Sequence, residues 1–314
     1  MYNLIIYNKH TEYHPLIEGQ VVWETVRMGN PGKLIFNVVK DENLKFEEGN
    51  VVVFRVDSKD IFFGYVFAKE TSKDEIIKVT AYDQLRYFMN KEFYNYENKT
   101  ASWVLKKIIS DFQLEAGKID DTGYVIPSRI QDDKTLFDIV YDALDLTLIN
   151  SGKLYVLFDD FGKLALKDVE NMKVPDLVVG DERSQDYNFK TDIDSDTYNK
   201  IKLVHENDES GKRERYEVID SSTIKQWGVL QYYEKVVDVS NVKHKADTLL
   251  KLKNRINKTL QLKDCLGDTR VRAGSSVMTL LTDLGVSQYM LVERCKHVFS
   301  NDEHFMTLDL RGAI

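Results

Sequence analysis

Cysteine is nearly missing from this chain: Cys265 and Cys295 are the only two in 314 residues. One pair is no disulfide framework for a chain of this length, so a reducing compartment is expected. Proline (4) and glycine (16) are also scarce. That excludes collagen-like repeats and low-complexity linkers, and it predicts order almost throughout. No apolar run approaches the roughly 20 residues that a membrane-spanning helix needs. The opening "MYNLIIYNKHTEYHP" has no basic region ahead of its short apolar patch, so no signal peptide is expected. Positive charge is in deficit, with 43 Lys and Arg against 51 Asp and Glu and a net charge of −8. A protein whose task is to grip nucleic acid phosphates needs the opposite balance.

What is present is apolar material for sizeable cores, 43% hydrophobic and 11% aromatic residues, enough for two or three domains. From Tyr2 to Ala81 short runs rich in Val, Ile, Phe and Tyr alternate with turn residues: "YNLIIY", "VVWETVRM", "KLIFNVVK", "VVVFRVD", "IFFGYVFAKE" and "EIIKVTAY". Six strands at that spacing predict a small antiparallel barrel or sandwich. The period then changes. "KTASWVLKKIISDF" (99–112) and "TLFDIVYDALDLTLIN" (135–150) carry apolar residues at helical spacing, with Thr100 or Ser102 and Thr135 as caps, and "NSGK" stops the second helix. The segment 172–196 reads as a loop region. Strands resume with "TYNKIKLVHE", "KRERYEVID" and "VLQYYEKVVD", the last preceded by a helical turn "SSTIKQWG". A helix over 240–256 with Ser240 as cap comes next. "KTLQLKD", "DTRVRAGS", "QYMLVERCKHVFS" and "HFMTLDLRG" are predicted to close the chain as strands. The expected division is 1–95, a first β-barrel domain; 96–190, an α/β middle domain; and 191–314, a second β-barrel domain with an inserted helix. The fold class is α+β, mainly β.

Each candidate for chemistry meets a plainer reading. Asp159 and Asp160 in "LYVLFDDFGKLAL" stand where a hairpin turn is expected, and an exposed tip supplies neither the burial nor the repulsion that shifts a catalytic carboxyl. Asp192, Asp194 and Asp196 begin like a calcium loop, but Thr197 and Leu203 occupy the places of its glycine and bidentate glutamate. His10 and His14 lie beside Pro15, where no helix would hold them as metal ligands. A hairpin would bring His297 and His304 together, but two histidines make a poor metal site. The basic runs "KRER" (212–215) and "TRVRAGS" (269–275) read as solvated strand edges or as charged contacts to a partner subunit. No phosphate-binding glycine loop, HExxH or GxSxG motif is present. No catalytic, cofactor-binding or metal-binding residue is assigned, and no enzyme activity is expected.

The stretches "VTAYDQLRYFMNKEFYNYENKTAS", "DTGYVIPSRIQDDKTLFDIVYDALDLTLINSGKLYVLFDDFGKLALKD" and the closing "DTRVRAGSSV" with "YMLVERCKHVFSNDEHFMTLDLRG" resemble the XkdQ/YqbQ family of tail proteins from PBSX-type defective prophages. The resemblance covers nearly all of the chain in the same order. It implies a structural baseplate hub of a contractile tail, similar to the myophage hub and to the N-terminal part of the spike protein VgrG. In that group each chain carries two barrels related to the tail-tube subunit. Three chains then form a ring that adapts a six-fold tube to a three-fold spike. The implied partners are two further copies, the tube protein, the central spike and other baseplate proteins, with DNA or cargo passing through the lumen unbound. The implied location is the baseplate of a phage or bacteriocin-like particle, assembled in the bacterial cytoplasm. Two other classes are a tail-associated cell-wall hydrolase and a carbohydrate- or receptor-binding module. For the second, the only hint is the tyrosine-rich "FYNYEN" (93–98), which also reads as a packed linker.

Overall fold

A computed structural model of the chain describes residues 2–181, 184–206, 213–236, 241–301 and 303–312. The class is α+β, mainly β. The first lobe is formed by β1 (Tyr2–Asn8), β2 (Thr11–Tyr13), β3 (Ile17–Val26), β4 (Lys33–Val39), β5 (Val51–Val56), β6 (Lys59–Thr71) and β7 (Ile76–Tyr82). Its strands run antiparallel in the order β3-β4-β7-β6-β5-β1-β2. Strict alternation in β4 turns Leu34, Phe36 and Val38 inward against Trp23, Phe54 and Val79. All six expected strands are there.

The middle part begins with a 3₁₀ turn, Gln84–Met89, and continues with β8 (Lys91–Lys99), α1 (Ala101–Asp111), β9 (Ala116–Ile119), β10 (Ile126–Thr135), α2 (Leu136–Ser151), β11 (Tyr155–Asp159) and β12 (Leu164–Asp168). Thr100 caps α1. α2 opens on a reciprocal Thr135–Asp138 capping box and ends at Gly152, whose φ of 72° is the left-handed value that stops a helix. The helices bury Leu105, Ile108, Leu136, Ile139 and Val140 in one core. "FYNYEN" is strand β8 rather than a linker, paired with β10; its Tyr96 is buried and its Phe93 exposed. Alternating tyrosines with charged neighbours hide its strand character from a hydrophobicity reading.

The second lobe starts with β13 (Lys173–Gly180) and β14 (Asp186–Asp192), so the segment expected to be a loop supplies two strands. Pro175 and Asp176 break the register of β13 in mid-strand, and β14 is an edge strand with a single half-buried apolar residue, Phe189. Neither shows a clean period of two. Next come β15 (Lys200–Glu206), β16 (Arg213–Ile219), α3 (Ser221–Trp227), β17 (Gln231–Lys235) and α4 (Val242–Lys253). These three strands form a sheet of their own rather than joining the larger one, around a core of Ile201, Leu203, Val242, Ala246 and Leu249. The expected cap Ser240 lies outside the described residues. Strands β18 (Asn257–Leu266), β19 (Ser276–Leu281), β20 (Val286–Ser300) and β21 (Glu303–Gly312) complete the lobe. "DTRVRAGS" is not a strand. Asp268 caps the Arg270 N–H, and two turn hydrogen bonds, Val271 N–H to Asp268 O and Ser275 N–H to Arg272 O, fold it into a loop.

Two features depart from a pair of separate antiparallel barrels. First, β13 pairs with β19 in parallel, which is possible because the long excursion through the small sheet provides the crossover. Second, no closed barrel forms among the described residues, and both lobes belong to one 13-stranded sheet. The 15-residue β20 is the reason. The first half of one edge pairs with β19, the second half with β3, and β21 covers the other edge. Phe299, near its end, enters the first lobe's core, edge-on to Phe54 at 5.1 Å. Among the described residues no helix is long and apolar enough to cross a membrane.

Candidate functional site at a buried charge knot

Three segments distant in sequence meet beside the β11–β12 turn. The chain leaving β7 brings Asp83, whose Oδ1 accepts the Leu85 N–H (3.0 Å) and Oδ2 the Gly32 N–H (2.9 Å). A Cβ at position 32 would lie 2.2 Å from that Oδ2, so only glycine fits. Gln84 clasps the hairpin. Its side-chain amide donates to Gly162 O, its Oε1 accepts the Glu115 N–H (2.9 Å), and its own N–H reaches Asp159 Oδ2 (3.4 Å). Asp159 Oδ1 accepts the Gly162 N–H (2.6 Å). The loop between β18 and β19 brings Arg272, which donates from Nη2 to the Asp159 carbonyl (2.9 Å) and lies 4.3 Å over the Phe158 ring. One residue on, the Ala273 N–H donates to Thr25 Oγ1 of β3 (2.9 Å), tying the same loop to the first lobe.

The turn at Asp159–Gly162 is as expected, with left-handed φ at Phe161 (51°) and Gly162 (79°). The solvated tip is not. Asp160 is exposed, but Asp159 is 6% exposed, because the tip folds against the first lobe with Phe161 edge-on to Phe63 at 5.8 Å. Burial raises the Asp159 carboxyl above its ordinary range. Burial and then the Asp159 charge raise Asp83 well above its own, against the pull of Arg272. One carboxylate balances the guanidinium, and the Asp83 carboxyl is driven toward its neutral form. Both carboxyls are engaged by backbone amides, so the arrangement locks three segments together and offers no free base to a substrate. Asp83 was not singled out from the sequence, and Arg272 was hidden in a run read as a solvated edge or a partner contact.

The seam between the lobes holds a second buried polar group. His297 on β20 stacks on Trp23 of β3 (4.9 Å between centroids). Its Nε2 meets the Val271 carbonyl at 2.9 Å and Cys295 Sγ at 3.0 Å, while Nδ1 meets His304 Nε2 at 2.9 Å. The hairpin therefore does join the two histidines. An Nε2–H on His297 given to Val271, and an Nε2–H on His304 given to His297, satisfy a neutral pair. Burial lowers His297 to about 3 and His304 to about 4. At the rim, Glu24 pairs with Lys33 and Arg294, and Glu293, at the β20 register shift, pairs with Arg27 (2.7 Å) and Arg311 (2.9 Å).

The other candidates are spoken for locally. Asp192 accepts from Asp194 and Ser195 amides, and Asp196 takes Lys253. His14 sits with Glu12 at the surface, and His10 is exposed. Arg213 pairs with Glu206. Cys265 and Cys295 are free, buried thiols, and burial pushes Cys265 up to about 12.

A family model described as YQBQ-like matches residues 21–311. The chain belongs to the YQBQ-like family. The family resemblance carried by the middle and closing segments is thereby confirmed. The phage-like element PBSX protein XkdQ of Bacillus subtilis (strain 168) is 30% identical over 311 residues, covering 96% of this chain and 94% of its own. Among solved structures, the 43 kDa tail protein of prophage MuSo2 from Shewanella oneidensis matches with a TM-score of 0.72 at 11% identity, over 99% of this chain and 98% of that one. The E. coli c3393 protein, described as a component of the type VI secretion system, matches with a TM-score of 0.61 at 10% identity, over 99% of this chain and 76% of its own. At such identities the structures speak for a shared fold alone, over 99% of this chain.

Proposed function

We propose that this chain is a structural tail protein, the baseplate hub of a contractile phage tail or tail-like particle. Three copies form a ring that adapts a six-fold tube to a three-fold spike. The observation that carries the reading is the single sheet that runs through β3 and β20 from one β lobe into the other. It makes the pair a rigid double unit, so that three chains would present six lobes around one axis. The fold shared with a prophage tail protein over 99% of the chain supports it, as does membership of a family that includes a phage-like element protein. A stable ring needs contacts burying on the order of 1,000 Å² or more each. The net charge of −8 would keep DNA or cargo from adhering to the lumen.

The test is affinity capture of the tagged chain from its host after prophage induction, with mass spectrometry of the co-purifying proteins and mass photometry of its own oligomers. Tube, sheath and spike proteins together with a trimer are expected. Metabolic enzymes or cell-wall fragments without tail proteins, or clearing of a peptidoglycan gel by the pure chain, would overturn the reading.

A further inference from the structure

On the outer side of the charge knot a cleft of about 260 Å³ opens between the β11–β12 hairpin and the start of β13. Its floor is apolar, with Phe158, Met172 and Val174. Its walls are cationic, with Lys167, Lys173, Arg270 and Arg272 against one carboxylate, Asp160. Two of those cations are already neutralised: Lys173 by Glu170, and Arg270 by the fork it makes with Asp268. Of the other two, Arg272 has its charge balanced by the buried carboxylate of the knot. Lys167 has no ion pair among the described residues. Arg272 has five side-chain N–H donors, of which one, on Nη2, has a partner among the described residues, and its buried Nε has none. A guanidinium held over an aromatic ring with donors to spare is preformed to take a planar carboxylate. Lys167 and the spare Arg272 donors make this cleft rich in hydrogen-bond donors within a chain of net charge −8.

We propose that this cleft receives a carboxylate-bearing segment of a neighbouring protein chain in the assembled particle, an Asp or Glu side chain set among apolar residues. The carboxylate meets Lys167 and the Arg272 side, and the flanking apolar groups cover Phe158 and Met172. The volume suits one or two side chains, which makes the contact an anchor within a larger interface. The inference rests on the hub reading, since it needs a particle to supply the neighbour.

Purified particles, first checked for the presence of this chain, are treated with a water-soluble carbodiimide, which couples amines to carboxylates only when they touch. Cross-linked peptides are then sequenced. Lys167 is expected to couple to an Asp or Glu of another chain. Lys167→Glu is expected to abolish that cross-link and lower recovery of that neighbour about tenfold, with an unfolding temperature equal to wild type. Reversing the identified carboxylate to lysine is expected to restore recovery. Absence of the chain from particles would sink the hub reading itself. Presence of the chain with Lys167 coupled only within its own chain, or Lys167→Glu recovering every neighbour at wild-type level, would overturn the cleft assignment alone. Stabilisation of the free chain by inorganic phosphate without any interchain cross-link would overturn it too, in favour of a small-anion site.

Discussion

At the β3–β20 seam the two β lobes are joined by a ladder of backbone hydrogen bonds with ion pairs at its rim, whereas at the Asp83–Asp159–Arg272 knot three segments are joined largely through side chains. The ladder spreads its load over residues 21–26 and 294–299, so that no single side chain carries it. The knot concentrates charge in a buried place, where each member is stabilised because the others compensate it. One junction should tolerate substitution; the other should not.

The largest test of that contrast is Arg272→Ala. It removes the cation facing two buried carboxyls and the hydrogen bond to the Asp159 carbonyl, and should cost about 3–5 kcal/mol in urea unfolding. A loss under about 1 kcal/mol would mean that the knot is better hydrated than its burial indicates. Gly162→Ala comes next. It combines a φ of 79° with a Cβ 2.5 Å from the Phe63 ring, and should cost about 2–3 kcal/mol, whereas Gly152→Ala, in open space at φ 72°, should cost only about 1 kcal/mol.

The two junctions should also respond to pH with opposite signs. His297 and His304 have folded values below the ordinary 6.5, so their neutral pairing stabilises the fold fully above pH 6.5 and is lost as pH falls toward about 4 and 3. Asp83 and Asp159 are raised above the ordinary 3.8, so the preference for their protonated forms stabilises below pH 3.8 and is lost as pH rises through their folded values. His297→Phe should flatten the decline of unfolding free energy between pH 6.5 and 4, as followed by urea titrations at each pH. An unchanged slope would show that other groups govern acid sensitivity. The smallest effect is expected at the rim of the seam. Lys33→Ala leaves Glu24 still paired with Arg294, and should cost about 0.5 kcal/mol.

The first lobe was legible strand by strand because alternate residues face one core and solvent, so that burial imposes a period of two on "KLIFNVV". The helices were legible because Thr100, Thr135 and Gly152 announce their ends. The second lobe was less so. β14 buries almost nothing, β13 is broken by Pro175 and Asp176, and "DTRVRAGS" alternates like a strand while Asp268 and Ser275 fold it into turns. The knot was illegible for a related reason. Asp83, Asp159 and Arg272 look like any turn or edge charges until the hairpin tip, the β7 exit and the β18–β19 loop are brought together.

By itself, then, the amino-acid order determined the class, the strands of the first lobe, both helices of the middle part, the hairpin turn at Asp159–Gly162 and the family, because each is written in local periods, caps and turn residues. Tertiary structure alone decided that the two lobes share one sheet through β20, that the small three-stranded sheet stands apart, and that one carboxylate of an adjacent pair is buried while its neighbour meets water. Those outcomes depend on which surfaces meet across 50 to 250 residues of intervening chain, and the charge a side chain bears is neutral information until the dielectric around it is known.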